Sequence, residues 1–268
     1  YTLSLHDALP IFIKPFIGGY ELLNGTERYC LWFADATPAQ LKVIGQYPEI
    51  KARIEGVKQA RLTSQTASVR DMAKQPYIFT QIRIAKGTFL AVPRVSSERR
   101  EFIPILFLAP DIIPHEKVLM IPDVGLYEFG VLSSTLHNAW MRTVAGRLKS
   151  DFSYSPNVYQ LFPWLQISDK HKQAIELAAQ AVLDARAEAV AQDSNTTLAI
   201  LYDPDLMPKT LRTAHAKLDK AVDAAYGYKG GNNDGERVAF LFDLYQQMTS
   251  LLGVEKGKKV SKRAKQPS

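Results

Sequence analysis

With 268 residues, 46% of them hydrophobic, the chain is long enough to bury a sizeable core and to form two domains. No apolar run approaches the ~20 residues needed to cross a bilayer, so neither a membrane span nor a membrane partner is expected. A single cysteine, Cys30, excludes an internal disulfide framework and is typical of a reducing, cytoplasmic location. Because Cys30 lies in a strand-like run, we expect a buried and inert thiol.

The net charge of +6 is unevenly distributed along the chain. Residues 255–268 contain six Lys or Arg and one Glu, and without apolar periodicity this basic tail is expected to be disordered. Residues 12–163 contain 18 basic and 13 acidic residues, whereas residues 164–254 contain nine and twelve. The first region therefore suits a polyanion such as nucleic acid, although many solvated surfaces have a similar balance.

Residues 1–11 (YTLSLHDALPI) do not continue smoothly into the rest of the chain. One reading frame of a common sequencing-library adapter would encode all of them, so we expect an artefact that takes no part in the fold. His6 and Asp7 would then have no function. The alternative is a genuine short amphipathic terminus.

The region from 12 to 33 is expected to contain a turn at Gly18-Gly19 and a strand through Leu31. Between them, Asn24-Gly25 is flanked by apolar runs, which is a strong hairpin signal.

Two helices are expected next. Thr37-Pro38 supplies an N-cap and a first-turn proline for the first of them. Pro48 interrupts it, so the second helix should cover about 48–63.

Strands dominate the following stretch. Residues 77–84 and 88–95 predict a hairpin that turns at Lys86-Gly87, with further strands near 102–108 and 117–121. Ser96-Ser97-Glu98-Arg99-Arg100 should form a polar turn that could clamp a phosphate, because two guanidiniums and two hydroxyls are good donors to its oxygens. The alternative is a surface turn whose arginines pair with Glu98 and Glu101.

The segment 133–164 contains the pattern around which the chain is organised. Leu136, Trp140, Met141 and Val144 fall at helical spacing, and Gly146 is expected to be the left-handed C-cap. Residues 147–155 then alternate apolar with charged or hydroxyl residues, so one side can pack while the other faces DNA phosphates and base edges. An ordinary polar connection to a strand is the alternative.

The remaining chain predicts a small helical bundle. Ser168 is a good N-cap for a long helix to about Gln192, and later helices should end at Gly227 and Gly253. The expected fold class is α+β, with a mixed α/β domain followed by α-helices.

The string WMRTVAGRLKSDFSYSPNVYQLFPW over 140–164 resembles the end of the target-recognition domain in the MmeI-like family of adenine-specific DNA methyltransferases. These are large Type IIL restriction-modification enzymes. Successive blocks of the same family are similar to this chain in the same order, so the resemblance covers residues from about 12 to about 250. They are IKPFIGGYELLNGTERYCLW, VPRVSSERREFIP, LYEFGVLSS and AAQAVLDAR. Leu165 departs from the family, which commonly has a second proline there.

The resemblance implies a DNA target-recognition domain at 12–164 and a C-terminal helical domain at 165–254. It implies double-stranded DNA as a partner, together with an upstream methyltransferase domain of the same polypeptide. In this family the two positions that correspond to Lys149 and Asp151 resemble a base-pair reader, with Ser153 and Lys117 as further candidates. The expected phosphate contacts are Arg94, Ser96, Ser97, Arg99, Arg100, Arg142 and Arg147.

The chemistry of methyl transfer is missing from the sequence. No glycine-rich S-adenosylmethionine loop and no Asn-Pro-Pro-aromatic motif is present, so we expect no catalytic, cofactor-binding or metal-binding residue here. The parent enzyme would use S-adenosylmethionine, and this fragment alone should be inactive. The alternatives are a stand-alone DNA specificity subunit and a helical scaffold that binds a protein partner.

Overall fold

The computed structural model describes residues 10–261, with side chains for 11–250. Most of the segment expected to be adapter-derived, residues 1–9, lies outside the described residues. So does the end of the basic tail, residues 262–268.

Nine short strands form within the described residues: β1 Ile13–Ile17, β2 Tyr29–Leu31, β3 Phe89–Pro93, β4 Val95–Ser96, β5 Leu106–Leu108, β6 Ile113–Pro114, β7 Val118–Ile121, β8 Gly146–Leu148 and β9 Asp151–Ser153. They make three small sheets, with strand orders β2-β1-β6, β5-β3-β7 and β4-β9-β8. Among these strands, β1 and β6 alone pair in parallel.

Eleven α-helices accompany these strands over the same residues. They are α1 Gly19–Asn24, α2 Pro38–Ile44, α3 Pro48–Leu62, α4 Ala67–Asp71, α5 Leu126–Leu132, α6 Thr135–Val144, α7 Pro156–Gln160, α8 Asp169–Gln192, α9 Leu198–Leu201, α10 Lys209–Tyr226 and α11 Asp234–Ser261. Single 3-10 turns lie at Pro10–Phe12 and Met72–Lys74. The α+β class with a helical C-terminal part is therefore confirmed.

The first sheet forms without the expected Asn-Gly hairpin. β1 and β2 are antiparallel, but the helix α1 connects them. Gly25 ends that helix with a left-handed φ of 64° and donates its N–H to Glu21 O at 2.8 Å, so the glycine is a C-cap. Cys30 lies half-buried in β2, and burial raises the pKa of its thiol to about 11.

The hairpin expected over 77–95 is wrong in its first half. β3 is buried along its whole length and pairs with β5 on one side and β7 on the other, so no edge remains for residues 77–84. Those residues run without regular structure. Side chains hold them in place, since Arg61 donates to Ile78 O at 2.5 Å and Arg83 donates to Val118 O at 3.2 Å.

Helix boundaries follow their local signals closely. Thr37 caps α2 by accepting from Gln40 N, and Pro48 opens α3. Ser168 caps α8, and Gly227 ends α10 with φ 73°. The last helix is an exception, because α11 does not end at Gly253 and continues to Ser261, into the tail expected to be disordered.

One hydrophobic cluster joins the sheets to the C-terminal helices. It contains Leu90 and Phe152 from the strands together with Ile175 and Leu218 from α8 and α10. Gly130 of α5 is packed so closely that a Cβ atom there would lie 2.7 Å from Ile175 Cγ2. The core therefore extends across residue 164 without interruption.

A buried arginine adds polar contacts across the same boundary. Arg186 of α8 donates to Ile105 O at 2.7 Å and to the hydroxyl of Tyr202, which in turn lies 3.0 Å from His215 Nε2. None of the helices within the described residues has the length and apolar character needed to cross a membrane.

Candidate nucleic-acid interface

Two side chains cap the N-terminus of the central helix α6, one from the preceding residue and one from α10. Ser134 accepts from His137 N in the first turn. Asp219 of α10 accepts the Thr135 N–H at 2.7 Å and also the Thr135 hydroxyl. A carboxylate at this end of a helix is favourable because it meets free N–H groups and the positive end of the dipole.

Buried side chains of α6 then position the segments around it. Asn138 Oδ1 accepts from Ile103 N at 3.0 Å, and Trp140 Nε1 donates to Val158 O at 3.1 Å. His137 Nε2 lies 2.9 Å from the hydroxyl of Tyr154, the residue that directly follows β9. The helix is therefore a rigid base for the hairpin β8–β9.

Gly146 is not the C-cap that its position suggested. The helix ends at Ala145, whose extended backbone (φ −71°, ψ 147°) leads directly into β8. Gly146 is the first residue of that strand and pairs with Ser153. The apolar and polar alternation after the helix is therefore a two-stranded hairpin, with Lys149 and Ser150 as its turn.

The tip of this hairpin presents polar side chains. Lys149 is exposed and takes a left-handed φ of 57°, which is uncommon for a residue other than glycine. Asp151 is half-buried and pairs with Leu148 across the strands. Within the described residues, Lys149 and Asp151 form no ion pair with each other.

The two faces of β9 differ in character. Asp151 and Ser153 share one face because strand side chains alternate, and both remain partly accessible. Phe152 points the other way into the core. Arg147 covers its ring at 3.8 Å, donates to Ser150 O at 2.7 Å and lies 3.6 Å from Glu98.

The Ser97–Arg100 turn lies beside the hairpin. Arg99 N donates to Ser97 Oγ and Arg100 N to Ser97 O, which defines a tight polar turn. The Arg99 side chain extends to Asp205 of the helical part, 2.6 Å away. Burial lowers the pKa of Arg100, while the charges of Asp203 and Asp151 act in the opposite direction.

Backbone hydrogen bonds bring Lys117 and Arg94 to the same region. Arg94 N donates to Lys117 O at 2.9 Å, and Tyr154 N donates to Arg94 O at 2.8 Å. Lys117 is exposed and pairs with Glu116 at 3.1 Å. These two backbone hydrogen bonds place Lys117 near the end of β9, as the sequence analysis expected.

Two of the residues expected to bind phosphate are placed differently. Ser96 is buried in β4 opposite Phe152, away from solvent. Arg142 donates to Glu101 O and pairs with Asp234 at 2.8 Å, so its guanidinium links α6 to α11.

One basic residue near this surface was missed by the sequence analysis. Arg83 is half-buried, and the positive charge of Arg94 contributes, after burial, to lowering its pKa. Residues 77–84 were expected to form a strand, and the groups that Arg83 meets, Arg94 and Val118 O, are distant in sequence. No local pattern therefore indicated that Arg83 lies near this surface.

Two family models together match residues 2–253 of the chain. The family model described as "MmeI, target recognition domain" matches residues 2–166, and "MmeI, C-terminal domain" matches 167–253. DNA methyltransferase A of Bacillus subtilis (strain 168) is 38% identical over 249 residues, which are 92% of this chain and 27% of that protein.

A solved structure is similar over most of the chain. The Type IIL restriction-modification enzyme MmeI in complex with DNA matches with a TM-score of 0.85 and 43% identity, over 91% of this chain and 32% of that one. This chain thus spans about a third or less of the length of these relatives. It belongs to the MmeI family and contains that family's target-recognition and C-terminal domains.

Proposed function

We propose that this chain recognises the DNA target of an S-adenosylmethionine-dependent adenine-N6 methyltransferase from a restriction-modification system. The methyltransferase domain would lie in the same polypeptide, outside this chain. The observation that supports the proposal most is the exposed polar tip of β8–β9, held on the buried helix α6. A rigid two-stranded ribbon with polar side chains can enter the major groove.

Lys149 and Asp151 are the proposed readers of one base pair. In the major groove guanine offers the acceptors O6 and N7, while cytosine offers the N4 amino donor. Lys149 would donate to the guanine and Asp151 would accept from its cytosine, so one position of the target is a G·C pair. Among the ion pairs of the described residues there is none between these two side chains, which supports their availability to bases.

An adjacent position is assigned to Ser153 and Lys117. Ser153 shares a strand face with Asp151, and the Lys117 backbone is joined through Arg94 to the end of β9. Both side chains can donate a hydrogen bond, which suits an acceptor on a purine edge.

The proposed phosphate contacts are Arg94, Ser97, Arg99, Arg100 and Arg147. Arg147 belongs to β8, and the other four flank β4, the strand that pairs with β9. Contacts to the DNA backbone fix the register in which bases are read. We leave out Ser96, which is buried, and Arg142, whose half-buried guanidinium is held by both Asp234 and Glu101 O.

The decisive experiment is a charge reversal in the full-length enzyme. Lys149→Glu with Asp151→Arg should exchange guanine for cytosine at one position of the methylated site, with a discrimination of about 1–3 kcal/mol. Sequencing that detects N6-methyladenine across a genome gives the site directly. A matched control is Lys74→Glu with Asp71→Arg, which reverses an exposed ion pair between the end of α4 and the following 3-10 turn and should keep the original site. An unchanged site with full selectivity in the first variant would rule out base reading by this pair.

A further inference from the structure

A groove of about 690 Å³ lies far along the chain from the hairpin residues, between β2, the helix α3 and residues 76–79. Aliphatic and aromatic side chains dominate its lining, among them Ile13, Tyr29, Ile54, Val57 and Tyr77. Several of these are unusually exposed for their size: Tyr29 is 54% exposed, Ile13 45% and Val57 41%. A contiguous apolar patch on the surface commonly marks a site of contact with another segment or molecule, whereas single exposed apolar residues do not.

The strand beside the groove has an unpaired edge. β2 is the outer strand of its sheet. Phe16 N donates to Arg28 O, and Trp32 N donates to Phe12 O. In an antiparallel pair of strands every second residue pair is hydrogen-bonded, so in this register Cys30 bonds to Lys14, whereas Tyr29 and Leu31 do not bond to β1.

It follows that the N–H and C=O groups of Tyr29 and Leu31 point outward. No described residue accepts or donates to them. An open edge next to an apolar groove is the geometry in which an extended segment adds as a further strand, with alternate side chains in the groove.

We propose that this groove and the outer edge of β2 form the docking site for an extended apolar segment of the parent polypeptide outside this chain. The relatives carry two to three times as much polypeptide beyond the matched region, since that region is 27% of one and 32% of the other. Ile13 lines the groove at the start of β1, directly after the 3-10 turn at Pro10–Phe12.

This proposal rests on the proposed function only in requiring a longer parent. It would fix the recognition domain relative to the rest of the enzyme through main-chain pairing. The segment that docks should be apolar at alternate positions, because strand side chains alternate between the groove and solvent.

Hydrogen exchange in the full-length enzyme tests the proposal. The amides of Tyr29 and Leu31 have no acceptor among the described residues, so docking should slow their exchange at least 100-fold relative to the rate of an unstructured peptide. Exchange of both amides near that unstructured rate would overturn the proposal. Protection that grows with enzyme concentration would also overturn it, because it would identify a second copy as the occupant.

Variants on one helix supply the matched comparison. Val57→Glu places a charge in the groove and should raise the exchange of both amides at least tenfold in the full-length enzyme. Leu62→Glu, an exposed position of the same helix that does not line the groove, should leave exchange unchanged. Equal exchange in the two variants would contradict docking here.

Target-site mapping of the same variants separates the two proposals. In the enzyme with Lys149→Glu and Asp151→Arg, the two amides should stay protected whether or not the target site changes, so a failure of base reading does not affect the groove proposal. Loss of protection with an unchanged target preference in Val57→Glu supports it equally.

Discussion

Arg147 lies over the ring of Phe152, its directly opposite neighbour in the β8–β9 hairpin, with the guanidinium carbon 3.8 Å from the ring centroid. The ring is buried, so the guanidinium stacks on a side chain that is packed in the core. Its donation to Ser150 O closes the turn from the same side. A single side chain thereby ties the exposed tip of the hairpin to the core.

Substitution of Arg147 should separate charge from stacking. In Arg147→Ala, loss of one phosphate contact should lower the slope of log K against log salt by about 0.9. Arg147→Lys keeps the charge and should keep the slope, but it loses the planar contact with Phe152 and should bind its site less selectively. Fluorescence anisotropy with cognate and mismatched duplexes over a salt series measures both quantities. Equal slopes for the Ala variant and the unchanged protein would remove Arg147 from the proposed phosphate contacts.

Asp205 should restrain Arg99 in the absence of DNA. The pair is exposed and is worth less than about 1 kcal/mol, so DNA can compete for the arginine. Asp205→Asn is expected to raise DNA affinity severalfold, because it frees the guanidinium of Arg99. The double variant Arg99→Ala with Arg100→Ala is expected to lower the slope of log K against log salt by about two. Binding isotherms at several salt concentrations test this. In an Arg99→Ala background, Asp205→Asn should have no effect, and an equal gain there would show that Asp205 acts through something else.

Gly130→Ala should destabilise the protein. The new methyl group would lie 2.7 Å from Ile175 Cγ2 and 3.2 Å from Ala179 Cβ, so α5 and α8 would have to separate, at a cost of about 1–3 kcal/mol. Gly56→Ala is the control, since nothing lies within 4 Å of a Cβ atom there, and helix propensity should stabilise it by up to about 1 kcal/mol. Chemical denaturation of both variants gives the two free energies of unfolding. Similar values for both would mean that the α5–α8 contact is looser than described.

Stability should fall as pH decreases below about 6.5. Burial lowers the pKa of both His137 and His215 to about 3, whereas an unfolded histidine titrates near 6.5. Between these values the unfolded chain binds protons that the folded chain does not, so unfolding becomes easier by about 1.4 kcal/mol per pH unit for each histidine. Denaturation between pH 4.5 and 6.5 should show this slope. His215→Gln should reduce it by roughly half, and an unaltered slope would assign the acid sensitivity to other groups.

Features governed by neighbouring residues could be predicted from the sequence. The caps at Thr37, Ser168 and Gly227 need only a side chain or a left-handed glycine within one turn, and all three are confirmed. The strand near 117–121 and the packed face of α6 follow from local periodicity in the same way.

Features governed by distant residues could not be predicted from the sequence. The pairing of β3 on both sides excludes residues 77–84 from the sheet, and no pattern within 77–84 carries that information. Asp219 caps a helix 84 residues earlier in the chain, which only the assembled fold shows.

The candidate interface divides along the same line. Lys149, Asp151 and Ser153 are close in sequence, so alternation alone placed two of them on one face. The pairing of Arg99 with Asp205 joins residues 106 apart, and that of Arg142 with Asp234 joins residues 92 apart. Two of the arginines expected to face DNA are therefore also linked to the helical half, which no pattern in their own segments indicates.

The hydrophobic cluster that crosses residue 164 bears on how new sequence preferences could arise in evolution. A recombination event at this point would join two halves whose contacts, such as Gly130 against Ile175 and Arg186 against Ile105 O, had not been selected together. Replacement of the solvent-facing Lys149 disturbs none of these contacts. Under the proposed function, point mutations on the hairpin surface would change the target while the contacts between the two halves stay intact.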